Sequence, residues 1–182
     1  MKGMGKPFDR DLARAATEKT KELIVVLNKH LKQFKATLGP GRNSDIIIIC
    51  KSNPQIKVLV EVEIVRKDRW EKIERGEYRT VRWPLAKREK CREYSNKGEI
   101  LIMLSANEAD LSKIFYIDCE TWVNMGHEEK ARYVRAGGKK YIYRKGQEEP
   151  FWAIEKDKVK WGIEGFEEFL LELLMRRELR CT

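Results

Sequence analysis

Long apolar runs are missing from this 182-residue chain. None approaches the ~18–20 residues that a membrane-crossing helix needs. The N-terminal stretch MKGMGKPFDRDLARAA has no apolar block behind its charges, so it does not read as a secretory signal. Met1-Lys2-Gly3 lacks the second-position glycine of a myristoylation site. Cysteine is sparse: Cys50, Cys91, Cys119 and Cys181 form no Cys-x-x-Cys pair, and His30 and His127 are the only histidines. That spacing argues against a zinc site, and a reducing cytoplasm is the expected compartment. Asp is scarce, at 7 against 22 Glu, and Asn and Gln total 9, a bias that resembles heat-adapted proteins of thermophiles. There is no repeat, no low-complexity linker, no Gly-x-Gly-x-x-Gly and no phosphate-loop Gly-Lys-Ser/Thr.

What is present is charge. Charged residues make up 37% of the chain, and 38 Lys and Arg against 29 Asp and Glu leave a net charge of +9. Such a balance favours a polyanionic partner, nucleic acid before an anionic membrane. The hydrophobic share of 42% is enough for a core. The length suggests one domain over 1–182, with a core at about 9–120 and a C-terminal extension at about 121–182.

Helical spacing of Leu12, Ala16, Leu23, Leu27, Leu31 and Phe34 predicts a helix over 9–35, broken by Gly39-Pro40-Gly41. Residues 45–50 read as a buried strand, apolar on both faces, and 56–65 as a second, joined to it as an antiparallel hairpin through Ser52-Asn53-Pro54. Residues 66–83 give no clear pattern. Pro84 suits the first turn of a helix reaching about Asn96, with Gly98 placed to end it. Strands follow at 100–105 and 113–118, with weaker patterns at 139–145 and 151–160. A last helix from about 164 carries the stripe Phe166, Phe169, Leu170, Leu173 and Leu174. The order predicts an α/β sandwich on a mixed sheet.

One strand breaks the apolar rule. Along 56–65, Leu59, Glu61, Glu63 and Val65 share one face. Hairpin pairing would bring Asp45 close to Glu61. The two glutamates either line a solvated face opposite basic residues or converge with Asp45. Three converging carboxylates repel one another and lose solvation, and a divalent cation removes both penalties. Hard oxygen ligands of this kind suit Mg²⁺.

Asp45, fifteen residues, then Glu61-Val62-Glu63 resembles the motif of the PD-(D/E)XK, or restriction-endonuclease-like, nuclease superfamily, over roughly residues 15–120. Two departures stand out: Ser44 precedes Asp45 where Pro is common, and Glu63 fills the lysine position. Thr80-Val81-Arg82-Trp83-Pro84-Leu85-Ala86-Lys87, followed by Tyr94, is similar to a segment of small phage and prokaryotic members. The resemblance implies a core of helix, three-stranded meander, helix and strand, with C-terminal strand and helix additions. It implies a metal-dependent DNA endonuclease or repair nuclease using Mg²⁺, with Mn²⁺ as a substitute. Asp45 and Glu61 would bind the metal with the Val62 carbonyl. Glu63 would hold a second metal or orient water, and Lys87, with Lys90 second, would be a migrated catalytic lysine. Glu22, ahead of Glu18 on the first helix, would complete the acidic cluster.

Basic residues supply the expected DNA surface: Arg66, Lys67, Arg69, Arg82 and Lys90 in one stretch, Arg135, Lys139 and Lys140 in another. Trp70 and Trp83 either stack on unpaired bases or pack inside. DNA is favoured over RNA, no membrane partner is expected, and a homodimer is compatible with double-strand cutting. The other readings are a nucleic-acid-binding module whose site has decayed at Glu63, and a phage-type assembly protein docking through the last helix.

Overall fold

A computed structural model describes residues 10–40, 44–132 and 148–182. The predicted element at 139–145 and the candidate DNA contacts Arg135, Lys139 and Lys140 lie outside the described residues. Helix α1 (Arg10–His30) leads into β1 (Phe34–Leu38), β2 (Ile46–Cys50) and β3 (Lys57–Val65). Then come α2 (Lys67–Glu74), β4 (Thr80–Pro84), α3 (Ala86–Asn96), β5 (Leu101–Asn107) and β6 (Asp110–Asp118). The chain continues through α4 (Cys119–Met125), β7 (His127–Arg132), β8 (Glu148–Glu155), β9 (Lys160–Trp161) and α5 (Phe166–Arg176).

The fold is mixed α/β. Six strands run in the order β1-β2-β3-β5-β6-β9, and β4-β8-β7 form a smaller antiparallel sheet. In the large sheet only the β3–β5 pair is parallel. The crossover between them carries α2, β4 and α3. Helix, meander, helix and strand therefore follow one another as the resemblance implies.

The expected 9–35 helix is shorter than its apolar spacing. Phe34 falls at a helical interval from Leu31, but the same residues Phe34 and Ala36 also alternate with period two, and both are buried in β1. Tertiary hydrogen bonds settle the choice. Asn28 donates to the Ala36 carbonyl at 3.0 Å and accepts the Ala36 N–H at 2.8 Å. Glu167 of α5 accepts the Lys32 and Gln33 N–H groups at 2.7 and 2.8 Å. The chain thus turns back as a strand against β2. The unclear stretch 66–83 holds α2 and β4. Pro84 ends β4 rather than opening a helix, and β4 lies at the edge of its sheet, where a missing N–H costs little. Gly98, at φ 75°, follows α3 as expected.

Both faces of the large sheet are covered. On one, Val58, Val60, Ile102 and Leu104 pack under Leu23 and Leu27 of α1 and under the α5 stripe of Phe166, Phe169, Leu170, Leu173 and Leu174. That stripe is buried in this chain's own core, which removes it as the assembly surface weighed from sequence. On the other, Leu101, Met103, Phe115 and Ile117 meet Trp70 and Ile73 of α2, Trp122 of α4 and Val81, Trp83 and Ile154 of the small sheet. The cysteines pair as Cys50–Cys181 and Cys91–Cys119, contrary to the reduced thiols expected of a cytoplasmic chain. Intracellular disulfides are rare in mesophiles but common in hyperthermophiles, so the pairing withdraws the cysteine argument for a reducing compartment. Among the described residues no helix is long and apolar enough to cross a membrane.

Asn28→Ala removes two hydrogen bonds that fold β1 onto α1. It is expected to cost about 1–2 kcal/mol of unfolding free energy in urea denaturation. An unchanged midpoint would show that β1 docks without them.

Candidate active site

Strand pairing builds the site. Ile46 sits opposite Val60, so Asp45 lies one step beyond the last β2 pair, next to Glu61. The Asp45 N–H still donates to the Val60 carbonyl at 3.1 Å. Val62 is the next residue whose N–H and carbonyl face the β2 side, and among the described residues no strand lies there to receive them. Buried backbone groups need partners. Asp45 Oδ2 accepts the Val62 N–H at 2.8 Å, and Lys87 Nζ donates to the Val62 carbonyl at 3.1 Å. Gly39 holds this corner closed: its N–H donates to the Asp45 carbonyl at 3.0 Å, and a Cβ there would collide with the Ser44 carbonyl.

Lys87 opens α3 and reaches under the three acids. Its Nζ stands 3.4 Å from Glu61 Oε2, 3.8 Å from Asp45 Oδ2 and 3.9 Å from Glu63 Oε2. Lys90, one turn on, pairs with Glu61 Oε1. Glu61 is buried, with 3% of its surface exposed, while Glu63 and Asp45 are partly open. Burial pushes the Glu61 carboxyl above its ordinary pKa; Lys87 opposes this, Asp45 reinforces it, Lys90 opposes it, and burial prevails. Burial also disfavours the Lys87 ammonium, but Glu63, Glu61 and Asp45 outweigh it and hold its pKa above the ordinary lysine value.

Among the described residues no three carboxylate, imidazole or thiol groups are already drawn into a metal-ligand cluster. The acids are spaced about an ammonium instead. That ammonium marks the point where one cation is shared by Asp45 Oδ2, Glu61 Oε2, the Val62 carbonyl and Glu63 Oε2. All four donors are hard oxygens, and the set fits a divalent cation such as Mg²⁺ or Mn²⁺.

The other sequence candidates fall elsewhere. Glu22 is exposed and pairs with Lys19, and Glu18 pairs with Lys21; neither joins the cluster. Arg66 pairs with Asp68 and Lys67 with Glu71, all exposed on or beside α2. Arg69 lies over the Tyr78 ring and Arg82 over Phe151. Trp70 and Trp83 are buried against Phe115, so neither is available to stack on bases. Ser105 was not singled out from sequence. It lies beside Glu63 in the β3–β5 register, and its buried hydroxyl has no hydrogen-bond partner among the described residues. A lone hydroxyl on the same face of β5 as Met103 was the available signal.

No known family model matches the sequence, and no curated protein matches it. Among solved structures the chain is similar to Archaeoglobus fulgidus Hjc, a Holliday junction resolvase from an archaeal hyperthermophile. The match has a TM-score of 0.42 and 12% identity, and covers 79% of this chain and 85% of that one.

Lys87→Met removes the shared cation. It is expected to lower stability at pH 7 by about 3 kcal/mol, the scale for stripping one partner from a buried ion pair, as read by urea denaturation. The loss shrinks as pH falls towards 5, because the Glu61 carboxyl, already biased to its protonated form, takes up a proton more readily without Lys87. In the wild type the Lys87 contribution is complete below the ordinary lysine pKa. It is lost only as pH rises through the raised folded value. A Lys87→Met deficit that stays constant from pH 5 to 7 would show that Glu61 does not depend on this ammonium.

Proposed function

We propose that this chain is a divalent-metal-dependent nuclease that hydrolyses phosphodiester bonds in DNA. The observation that supports it is the gathering of Asp45, Glu61, Glu63 and the Val62 carbonyl about one cationic point at the start of β2. The net charge of +9 agrees with a polyanionic substrate.

Asp45, Glu61 and the Val62 carbonyl would hold the metal, with Glu63 beside them. When bound, Mg²⁺ or Mn²⁺ supplies Lewis-acid polarisation of a phosphoryl oxygen and a more acidic water. Asp45 is kept in place by the Val62 N–H, so one carboxylate oxygen is fixed before any ligand arrives. Lys90 remains paired with Glu61 Oε1, which leaves Oε2 to face the site. Lys87 carries its charge on a flexible stem. Displaced from the carboxylates, it stays within reach of a phosphoryl group and stabilises the negative charge developing on its oxygens. Glu63, partly open to solvent, is placed to accept a hydrogen bond from the attacking water. Glu63 therefore takes over a positioning role, and the lysine charge comes from α3.

Cleavage is to be assayed on labelled duplex, single-stranded and branched DNA and on RNA, in Mg²⁺, Mn²⁺ or EDTA. Wild type is expected to cut DNA only with metal, and Asp45→Asn and Glu61→Gln to fall to background. Lys87→Met is expected to lose about 10²–10³ in rate, the scale for one transition-state charge contact. Binding is read separately by thermal unfolding with Ca²⁺. The ion is expected to raise the midpoint of wild type, to raise that of Lys87→Met further because the competing ammonium is gone, and to leave Glu61→Gln unmoved. No shift in wild type or Lys87→Met would sink the metal site whatever the cleavage result.

A further inference from the structure

Ser105 sits on a central strand of the large sheet with an unused hydroxyl. β5 is paired with β3 on one side and β6 on the other, so the backbone groups flanking Ser105 are committed to two ladders. The residue is fully buried, and its Oγ has no hydrogen-bond partner among the described residues. Met103, two residues back on the same face, lies in the apolar layer with Phe115. Asn107, two residues on, has its Oδ1 engaged by the Ala109 N–H at 2.9 Å. A hydroxyl shut away from water without a partner costs free energy that an alanine in its place would not.

Strand register sets one polar side chain next to it. Ser105 is opposite Phe115 across the β5–β6 ladder and beside Glu63 across the β3–β5 ladder. Adjacent strands lie ~4.8 Å apart, and residues in register share a face. Glu63 is also the least restrained of the three acids. Asp45 accepts the Val62 N–H, and Glu61 pairs with Lys90. Glu63 Oε2 stands 3.9 Å from Lys87 Nζ, beyond hydrogen-bond length, so the ammonium attracts it without fixing it. A serine hydroxyl donates one hydrogen, and an ionised carboxylate only accepts. An unused donor and a loosely held acceptor therefore occupy neighbouring positions on one face, and rotation of the Glu63 side chain is enough to join them.

We propose that Ser105 is a positioning residue for Glu63, donating its hydroxyl hydrogen to the Glu63 carboxylate once the Lys87 ammonium is displaced. With Lys87 in place, Glu63 leans towards the ammonium and the hydroxyl is left over. Without it, Glu63 loses its counter-charge, and Ser105 is the donor that register puts beside it. The consequence for catalysis rests on the nuclease reading above. There, one Glu63 oxygen would be tied down by Ser105 while the other faces the attacking water. Ser105 touches neither substrate nor metal in this scheme and acts through Glu63 alone.

Stability and turnover of the full chain read the two parts separately. In urea at pH 7, Ser105→Ala is expected to leave the wild-type midpoint unchanged or slightly raised, because no bond is lost. In the Lys87→Met background it is expected to lower the midpoint by about 0.5 M, the scale of one hydrogen bond. In Lys87→Met/Glu63→Ala it is expected to have no effect. Should Lys87→Met fail to fold, Ca²⁺ displaces the ammonium instead: Ser105→Ala is expected to shrink the Ca²⁺-induced rise in unfolding midpoint, and not to do so once Glu63 is replaced by alanine. In DNA cleavage with Mg²⁺, Ser105→Ala is expected to lower kcat about tenfold with KM unchanged. Coupling between Ser105 and Glu63 in a protein that cuts no DNA keeps the hydrogen bond and removes the nuclease reading alone. The same coupling beside an unchanged kcat overturns the role in catalysis. If Ser105→Ala destabilises wild type as much as Lys87→Met, or changes neither, the positioning role is overturned.

Discussion

Where β2 begins, β3 has a strand partner for Val60 and, among the described residues, none for Val62. The unsatisfied N–H and carbonyl of Val62 would cost free energy if left bare in a partly buried corner. Asp45 takes one and Lys87 takes the other. Those two bonds tie the β2 entry and the first turn of α3 to the same peptide. Glu61 and Glu63 follow from strand parity, since Val62 stands between them. A backbone problem at a strand end thus determines where three acids and one lysine meet. The ammonium makes that density of carboxylate tolerable, and it stands where the proposed divalent ion would compete for the same oxygens.

An aromatic layer packs between α2, the small sheet and the large sheet. Trp70 stacks on Phe115 at 5.2 Å, and Trp83 meets Phe115 and Trp122 edge-on at 5.7 Å. These rings clamp α2 and the small sheet to the large one, and β4 leads directly into α3. The Cys91–Cys119 bridge joins α3 to α4, while Cys50–Cys181 ties the last residues to β2. Of the two places the sequence left open for Trp70 and Trp83, stacking on bases or packing inside, the structure takes packing.

The basic excess is sorted by burial. Exposed residues such as Arg66 and Lys67 sit in local ion pairs, which contribute little to stability. Lys87 and Lys90 neutralise the acidic corner. Arg69 and Arg82 instead stack on rings at a cavity whose carboxylates already have other partners. The same net charge is thus spread over three different settings, and only residue-level geometry separates them.

Much of the architecture was legible in the residues. Alternation along 56–65 put Glu61 and Glu63 on one face, and the short turn at 52–54 made the β2–β3 hairpin, hence the nearness of Asp45. Helical period put Lys87 and Lys90 on one side of α3, and both reach Glu61. These are local rules, with periods fixed by backbone geometry. What local rules left open was decided by contacts distant in sequence. Phe34 fits a helix or a strand, and Asn28 and Glu167 choose the strand. Glu22 fits the acidic cluster by analogy, yet its place on α1 turns it to solvent and Lys19. Ser105 gained its place beside Glu63 only through the parallel β3–β5 register, set by a crossover of three elements. The nearness of Arg69 to Arg82 brings a helix beside a strand of the small sheet. Periodicity describes which side of an element a residue occupies; which elements face each other is set by how the whole chain buries its apolar surface.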